Sequence, residues 1–333
     1  MLTLKTTPYF PYKSYPGELP EEMGVFQSVE MERCFFANSL AYAVPKRMRP
    51  CTMSVLDGND PVLIFPALIS NSNMELAGHA NGMCELSPIY FRESEKNLKC
   101  YLKFFLDASG YREYLFTRIR ESTQVNCILD EGFAGYDISV TSKDNVSIDF
   151  SGGYDAWFQS LSKSTRQNLR TAYNRLEKDG RDIRVEVRRG GEISHSLMNR
   201  LIDIYIKRHN ERYEVKTSLL KSAYLRYLDF STRALIKNPM ACHIYVCISG
   251  RIAGFCSGYI DRGAFIVPRL SIDNDFSRYS PRYLLINEAI KWFCSSGGCV
   301  HMIDLSEGAE KYKLDLGGTI YKKLNYTIRR SKS

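Results

Sequence analysis

The sequence predicts a mixed α/β protein of two halves, each a mostly antiparallel mixed sheet flanked by helices. Three observations carry this expectation. The chain has 333 residues, more than the roughly 100–200 that one domain commonly uses. In its second half the runs His243–Ile248, Ile252–Ile260 and Ala264–Ile272 are separated by Ser249-Gly250 and Asp261-Arg262-Gly263, tight turns that make sequential antiparallel pairing the default. Long stretches at helical spacing surround these runs, the clearest over residues 154–180.

Up to about Pro20 the chain is rich in proline and tyrosine and reads as an extended arm over a domain surface. Residues 21–42 follow a helical pattern through Val25, Phe26, Val29, Phe36 and Leu40. Two apolar runs split by Asp57-Gly58-Asn59-Asp60 then signal a hairpin. Met74–Tyr90 is open between strand and loop. Residues 94–119 read as helical, with short strands over 126–138 and 146–150. Two glycines at Ser151-Gly152-Gly153 mark a boundary, so residues 1–150 and 151–333 are taken as the two halves.

The segment YDAWFQSLSKSTRQNLRTAYNRLEKDG opens the second half as a helix, with Leu169, Tyr173 and Leu176 on one face and Lys163, Arg166 and Arg170 on another. That basic stripe reads either as a solvated face or as a wall beside an anionic substrate. A strand at Val185–Val187 and helices over 196–210 and 218–237 precede the meander, whose third strand is interrupted by Pro268, a residue normally confined to an edge or bulge. Ser280 and Pro281 then start a further helix, and Gly297 and Gly298 end it. Its N-terminus, with Arg278 before it and Arg282 in its first turn, gathers N–H groups and positive charge as a diphosphate requires.

Lysine and arginine exceed aspartate and glutamate to give a net charge of +8, which favours phosphorylated ligands, acidic membranes or nucleic acid without choosing among them. Ten cysteines lie singly, with no CxxC pair and no zinc-finger spacing, so buried thiols are expected and no metal. No bilayer-spanning run and no secretory leader is evident, and the expected location is cytoplasmic. The absence of a Walker loop, a GxGxxG turn, an HExxH motif and a Ser-His-Asp order removes the common kinase, dehydrogenase, zincin and hydrolase readings.

A three-stranded meander, a loop, a helix with a phosphate-ready start and a further strand is an order that resembles the GNAT acetyltransferase core. LSKSTRQNLRTAYNRLEKDG, FSRYSPRYLLINEAIKW and IDLSEGAEKYKLDLGG resemble one branch more closely. This is the FemAB-like acyltransferases, including the CelD-type group with its BioF2-like acetyltransferase domain. Asp304, Gly308, Tyr312 and Lys313 match that group's D-x-x-x-G-x-x-x-Y-K run, and the first half looks like a degenerate copy. Arg282 stands where the group usually has glycine, so it either adds a charged contact or crowds the site.

The resemblance implies a double GNAT-like fold with its groove in or beside the C-terminal half. It implies transfer of an acyl group, most simply acetyl from acetyl-CoA, to an amine of a sugar, lipid precursor or small metabolite. Aminoacyl transfer from tRNA is the alternative within the branch, and an inactive binding module the alternative outside catalysis. In such a site the strand Ala264–Ile272 parts from 299–305, leaving Leu270, Ser271 and Ile272 to hold the pantetheine arm, with Arg278, Ser280 and Arg282 at the diphosphate. Asp304 or Glu307 takes up the amine proton or holds the acceptor, Tyr312 protonates the departing thiolate, and Lys313 anchors a carboxylate or phosphate. Each has a structural alternative: Asp304 capping a turn, Tyr312 in the core, Lys313 paired with Glu310 or Asp315. His243 and His301 are further candidates because imidazole titrates near neutrality, although His301 shares a strand face with Ile303 and reads as a core residue.

Overall fold

A computed structural model describes the chain except residues 10, 14–23, 40–42, 44–46, 77–88, 92–94, 213–217, 298 and 332–333. Contacts divide it into Met1–Asp144 with Tyr321–Ser333, and Asn145–Ile320. No helix among the described residues is long and apolar enough to cross a membrane.

The first unit begins with β1 (Leu2–Thr7), which pairs antiparallel with β2, so the expected arm starts as a sheet strand. Helix α1 spans Val29–Asn38, inside the longer helix expected from the pattern. The hairpin of β2 (Arg49–Asp57) and β3 (Asp60–Ile69) is as the sequence indicates. β4 (Asn73–Leu76) and β5 (Tyr90–Phe91) both pair with β3, while most of the stretch left open between strand and loop lies outside the described residues. Then come α2 (Glu95–Ser109) and β6 (Glu113–Arg120). The single helix expected over 94–119 therefore breaks at Gly110, whose φ of +72° ends it before a β-rich run. Another correction is α3 (Gln124–Glu131), where a strand was expected. The Thr123 side chain accepts from the Asn126 N–H, and Val125, Ile128 and Leu129 are buried at helical spacing, so a local cap and a tertiary face outweigh the β-branched content. The unit's strands run β1-β2-β3-β4-β6-β13, and β4 meets β6 in parallel over only Asn73–Glu75.

β7 (Tyr136–Asp149) leads into the second unit. The helix expected across residues 154–180 is two, α4 (Gly153–Ser160) and α5 (Lys163–Lys178). The break is at Ser162, whose hydroxyl accepts from the Thr165 N–H and caps α5. β8 (Ile183–Arg189), α6 (His195–Arg212) and α7 (Ser218–Lys237) follow. The meander is β9 (Ala241–Ile248), β10 (Arg251–Asp261) and β11 (Ala264–Ile272), antiparallel throughout. Its turns have Ser249 and Gly250 at φ 47° and 75°, and Arg262 and Gly263 at 44° and 77°, the paired positive values of a two-residue hairpin. α8 (Pro281–Ser295), β12 (Met302–Glu307), the short α9 (Lys311–Asp315) and β13 (Thr319–Arg330) complete the chain. Strand order in this unit is β7-β12-β11-β10-β9-β8.

Leu285, Ile286, Ala289, Ile290 and Phe293 of α8 pack on Phe265, Val267, Ile244 and Ile303 of the sheet, and Trp157 and Leu169 close the same core. Both units thus show four successive antiparallel strands, a crossover that includes a helix and a strand returning in parallel, the tandem arrangement the resemblance implies.

Candidate functional site

β11 and β12 pair in parallel at Ala264–Met302, Phe265–Ile303 and Ile266–Asp304, and no further. From Val267 onward β11 keeps β10 on one edge, where Ser257, Cys256, Phe255 and Gly254 face Arg269, Leu270, Ser271 and Ile272, while the other edge has no strand partner among the described residues. The cause is local. Register slips between Ser257 and Tyr259, opposite Pro268, and Gly258 there lies so close that a Cβ would stand 1.9 Å from the Ile266 carbonyl oxygen. On the far side β12 also bulges, between Asp304 and Glu307, against β7. A parted pair of parallel strands leaves main-chain donors and acceptors for an extended ligand to bond. Leu270, Ser271 and Ile272 line the gap, with the buried Ser271 hydroxyl donating to the Ile204 carbonyl at 3.4 Å.

The mouth of α8 is more closed than the sequence suggests. Ser280 occupies the cap position in the left-handed region at φ 50° and its side chain makes no cap bond. Pro281 has no N–H, and the N–H groups of Tyr283 and Leu284 both donate to the Ser280 carbonyl at 3.0 and 3.2 Å. That leaves the Arg282 N–H as the one amide of the first turn without a partner among the described residues. Arg278 is held by Asp179 at the end of α5, with Nε 3.1 Å from Oδ2, and the same carboxylate accepts from the Tyr279 hydroxyl at 2.7 Å. The Tyr279 bond and then the nearby Arg278 and Arg181 hold Asp179 below the usual carboxylate range. The Arg282 guanidinium turns toward α9 and lies over the Tyr312 ring, 4.5 Å from its centroid.

Asp304 is 5% exposed and its Oδ1 accepts the Ser306 N–H at 2.8 Å, the turn-capping alternative. Glu307 is exposed at the end of β12. Lys313, 3% exposed, donates to the carbonyls of Ser306, Glu307 and Gly308 and sits 2.9 Å from Glu310 Oε2. Burial raises the Glu310 carboxyl, but the Lys313 bond and charge outweigh it and hold the group below its usual range. Lys313 thus ties the β12–α9 turn, and its pairing with Glu310 is the structural alternative given for it. Tyr312 is partly buried against the α8 core and beneath Arg282.

On α5, Lys163 and Arg170 are exposed, whereas Arg166 donates to the carbonyls of Gln159 and Leu161 at 2.6 and 2.8 Å and closes the end of α4. The stripe therefore has two solvated cations and one structural one. His243 is fully buried, bonded through Nδ1 to the Ser257 hydroxyl at 2.8 Å, and burial pushes its pKa down to about 4. His301 is exposed just before β12, which corrects the core placement given to it; its backbone joins the sheet, donating to the Gly263 carbonyl and accepting from the Phe150 N–H, both at 2.8 Å.

Sequence reasoning missed Arg269, 7% exposed on the parted stretch of β11. It donates to Ser231 and Thr232 hydroxyls and lies over Tyr205, 5.5 Å from the ring centroid. A cation in an otherwise apolar strand beside Pro268 was the available signal.

Residues 163–314 match the acetyltransferase (GNAT) domain family. No curated protein matches the sequence. Among solved structures, FemX has a TM-score of 0.57 at 9% identity, covering 89% of this chain and 95% of that one. L-PGS from Bacillus licheniformis has 0.51 at 15% identity, covering 96% and 95%. A conserved protein of unknown function from Bacteroides thetaiotaomicron has 0.53 at 13% identity, covering 90% of each chain. At these identities the likeness is one of fold.

Proposed function

We propose that this chain, a FemAB-like member of the GNAT superfamily of acyltransferases, moves an acyl group from acyl-CoA to an amine of a sugar, lipid precursor or small metabolite. The observation that supports this reading is the parting of β11 from β12 after Ile266 and Asp304, which leaves a strand edge for the acyl arm beside two carboxylates. The amine attacks the acyl carbonyl, Asp304 or Glu307 takes the amine proton, and the thiolate leaves with Tyr312 as the nearby acid. Arg282 and the free N–H of the α8 mouth meet the phosphate, and Lys163 and Arg170 lie ready for an anionic acceptor. Release of thiol from acetyl-CoA in the presence of a panel of amines tests the reading; no binding of any acyl-CoA or aminoacyl-tRNA overturns it.

A second reading is favoured by one observation. With Pro281 first, Tyr283 and Leu284 bonded to Ser280, and Arg278 bound to Asp179, the α8 mouth offers a single amide rather than a cradle of several. That suits a donor whose affinity does not rest on a diphosphate at this helix, such as aminoacyl-tRNA. The likeness of fold to FemX, L-PGS and a domain of a putative lysylphosphatidylglycerol synthetase accords with aminoacyl transfer. Salt-sensitive tRNA binding together with transfer of a labelled aminoacyl group selects this reading; thiol release from acetyl-CoA selects the first.

A further inference from the structure

β8 ends the sheet of the second unit: β9 covers one of its edges, and no strand among the described residues covers the other. Its pairing with β9 runs through all seven residues, Ile183–Arg189, without a bulge. The Asp182 carbonyl accepts the Ser249 N–H at 3.0 Å, so even-numbered residues of β8 turn their N–H and C=O groups toward β9 and odd-numbered ones turn theirs outward. The Arg188 guanidinium, which reaches the Val187 carbonyl at 3.0 Å, agrees with this alternation. The Arg189 N–H is closed by Glu192 Oε2 at 3.0 Å, which ends the open stretch. Ile183, Val185 and Val187 thus present three N–H groups without a partner among the described residues. Their side chains rest half-buried on the core of the unit. Arg184, Glu186 and Arg188 occupy the opposite face, continued by Asp182 just before the strand. Arg184 Nε is 3.0 Å from Asp182 Oδ2 and Arg188 Nη2 is 2.9 Å from Glu186 Oε2, so charge alternates in sign from Asp182 to Arg188. Edge charges of one sign repel another chain; these are mixed, and neither a proline nor a bulge interrupts the strand.

We propose that β8 pairs with β8 of a second copy of this chain, antiparallel about a two-fold axis at Val185. An alternating order of this kind is its own complement when reversed. Arg184 then stands opposite Glu186 of the second copy and Asp182 opposite its Arg188, and the axis repeats both contacts, so every charge meets its opposite. On the other face Val185 meets Val185 and Ile183 meets Val187, β-branched pairs that suit adjacent strands. The main chain favours the same register. Outward residues face outward residues, so Val185 exchanges both bonds with its counterpart, and the Ile183 and Val187 N–H groups find carbonyls once Arg188 releases that of Val187. Sliding the second strand by two residues sets Arg184 against Arg188 in one direction and against itself in the other. Sliding it by one residue sets outward groups against inward ones. The Val185 register thus satisfies charge, packing and hydrogen bonding together.

Sedimentation equilibrium of the full chain over a concentration series tests this. Wild type passes from the mass of one chain, 38.2 kDa, to twice that mass, and added salt weakens the association. Val185→Pro removes an N–H that β9 does not use, at an edge position where a strand accepts proline, and weakens dimerisation about tenfold or more. Two charge variants decide the question should that one not fold. Arg184→Glu and Glu186→Arg each set like charges against each other across the axis, and each alone weakens dimerisation about tenfold or more. Mixed in equal amounts they form a dimer again, because every altered charge then faces its opposite; a loss caused by misfolding would not recover. Amide hydrogen exchange reads the register: Ile183, Val185 and Val187 slow as concentration rises, whereas Arg184 and Glu186, bonded to β9, are slow throughout. Wild type that stays monomeric at every concentration up to about 1 mM overturns the proposal, and this is also the outcome if the edge serves a strand of a different protein. So does a dimer that folded Val185→Pro leaves intact, or one that the mixed charge variants fail to restore.

Discussion

Gly258 sits at the register slip where β10 comes closest to β11, and replacing it by alanine has a calculable consequence. The added methyl would stand 1.9 Å from the Ile266 carbonyl oxygen, 2.8 Å from its carbon and 3.0 Å from Val267 Cα. Carbon contacts are comfortable at about 3.5 Å, so the two strands must separate locally by roughly 1.5 Å. All three atoms are backbone atoms of a paired strand, and no side chain can rotate out of the way. Overpacking in a tight interior costs about 1–3 kcal/mol, and a backbone-limited clash belongs at the upper end, near 3 kcal/mol. At roughly 2–4 °C per kcal/mol for a unit of this size, Gly258→Ala lowers Tm by about 6–12 °C. Thermal unfolding followed by circular dichroism measures this, with Gly191→Ala as control, since nothing lies within 4 Å of a Cβ there. A Gly258→Ala melt within 2 °C of wild type would refute the argument.

Two further perturbations follow from buried polar groups. His243 is neutral in the fold because burial pushes its pKa down to about 4, while the unfolded chain takes up a proton near its ordinary value. The unfolded state thus binds more protons between about pH 6.5 and pH 4, and stability falls as pH is lowered through that window, by about 2 kcal/mol at pH 5. His243→Gln should flatten that loss in urea unfolding at pH 7 and pH 5; an unchanged pH dependence contradicts the assignment. Tyr173 donates to Glu288 and accepts from the Asn287 amide at 2.7 Å and from Lys291 Nζ at 3.3 Å, joining α5 to α8. Tyr173→Phe should cost about 2 kcal/mol, as for a hydroxyl lost from charged partners, and a loss below about 0.5 kcal/mol in urea unfolding speaks against the network.

Local signals are what the sequence conveyed well. Ser249-Gly250 and Arg262-Gly263 adopt the positive φ values that only such pairs tolerate, so the meander was legible from turn chemistry. Pro268, lacking an N–H, announced a strand with an unfilled edge, and it sits at the bulge where the gap opens. Elements decided by competing local caps were harder. Val125, Ile128 and Leu129 fit a strand or a helix, and the Thr123 cap with a buried face settled the matter. Ser162 divided one long helical pattern in two by the same means. Site residues were legible as positions, but their contacts were not. Arg278, Arg166 and Lys313 all stand where basic residues were expected. Their partners, Asp179, the α4 carbonyls and the 306–308 carbonyls, are fixed by tertiary approach, which spacing along the chain does not encode.

The central claim is that the free edge of β11 receives the acyl carrier. Amide hydrogen exchange across Val267–Ile272, measured with and without acetyl-CoA and with and without charged aminoacyl-tRNA, tests it most directly. The account predicts that one of these donors slows exchange in this stretch while leaving β8 and β9 unchanged. Exchange across Val267–Ile272 unaltered by every acyl-CoA and every aminoacyl-tRNA would contradict it.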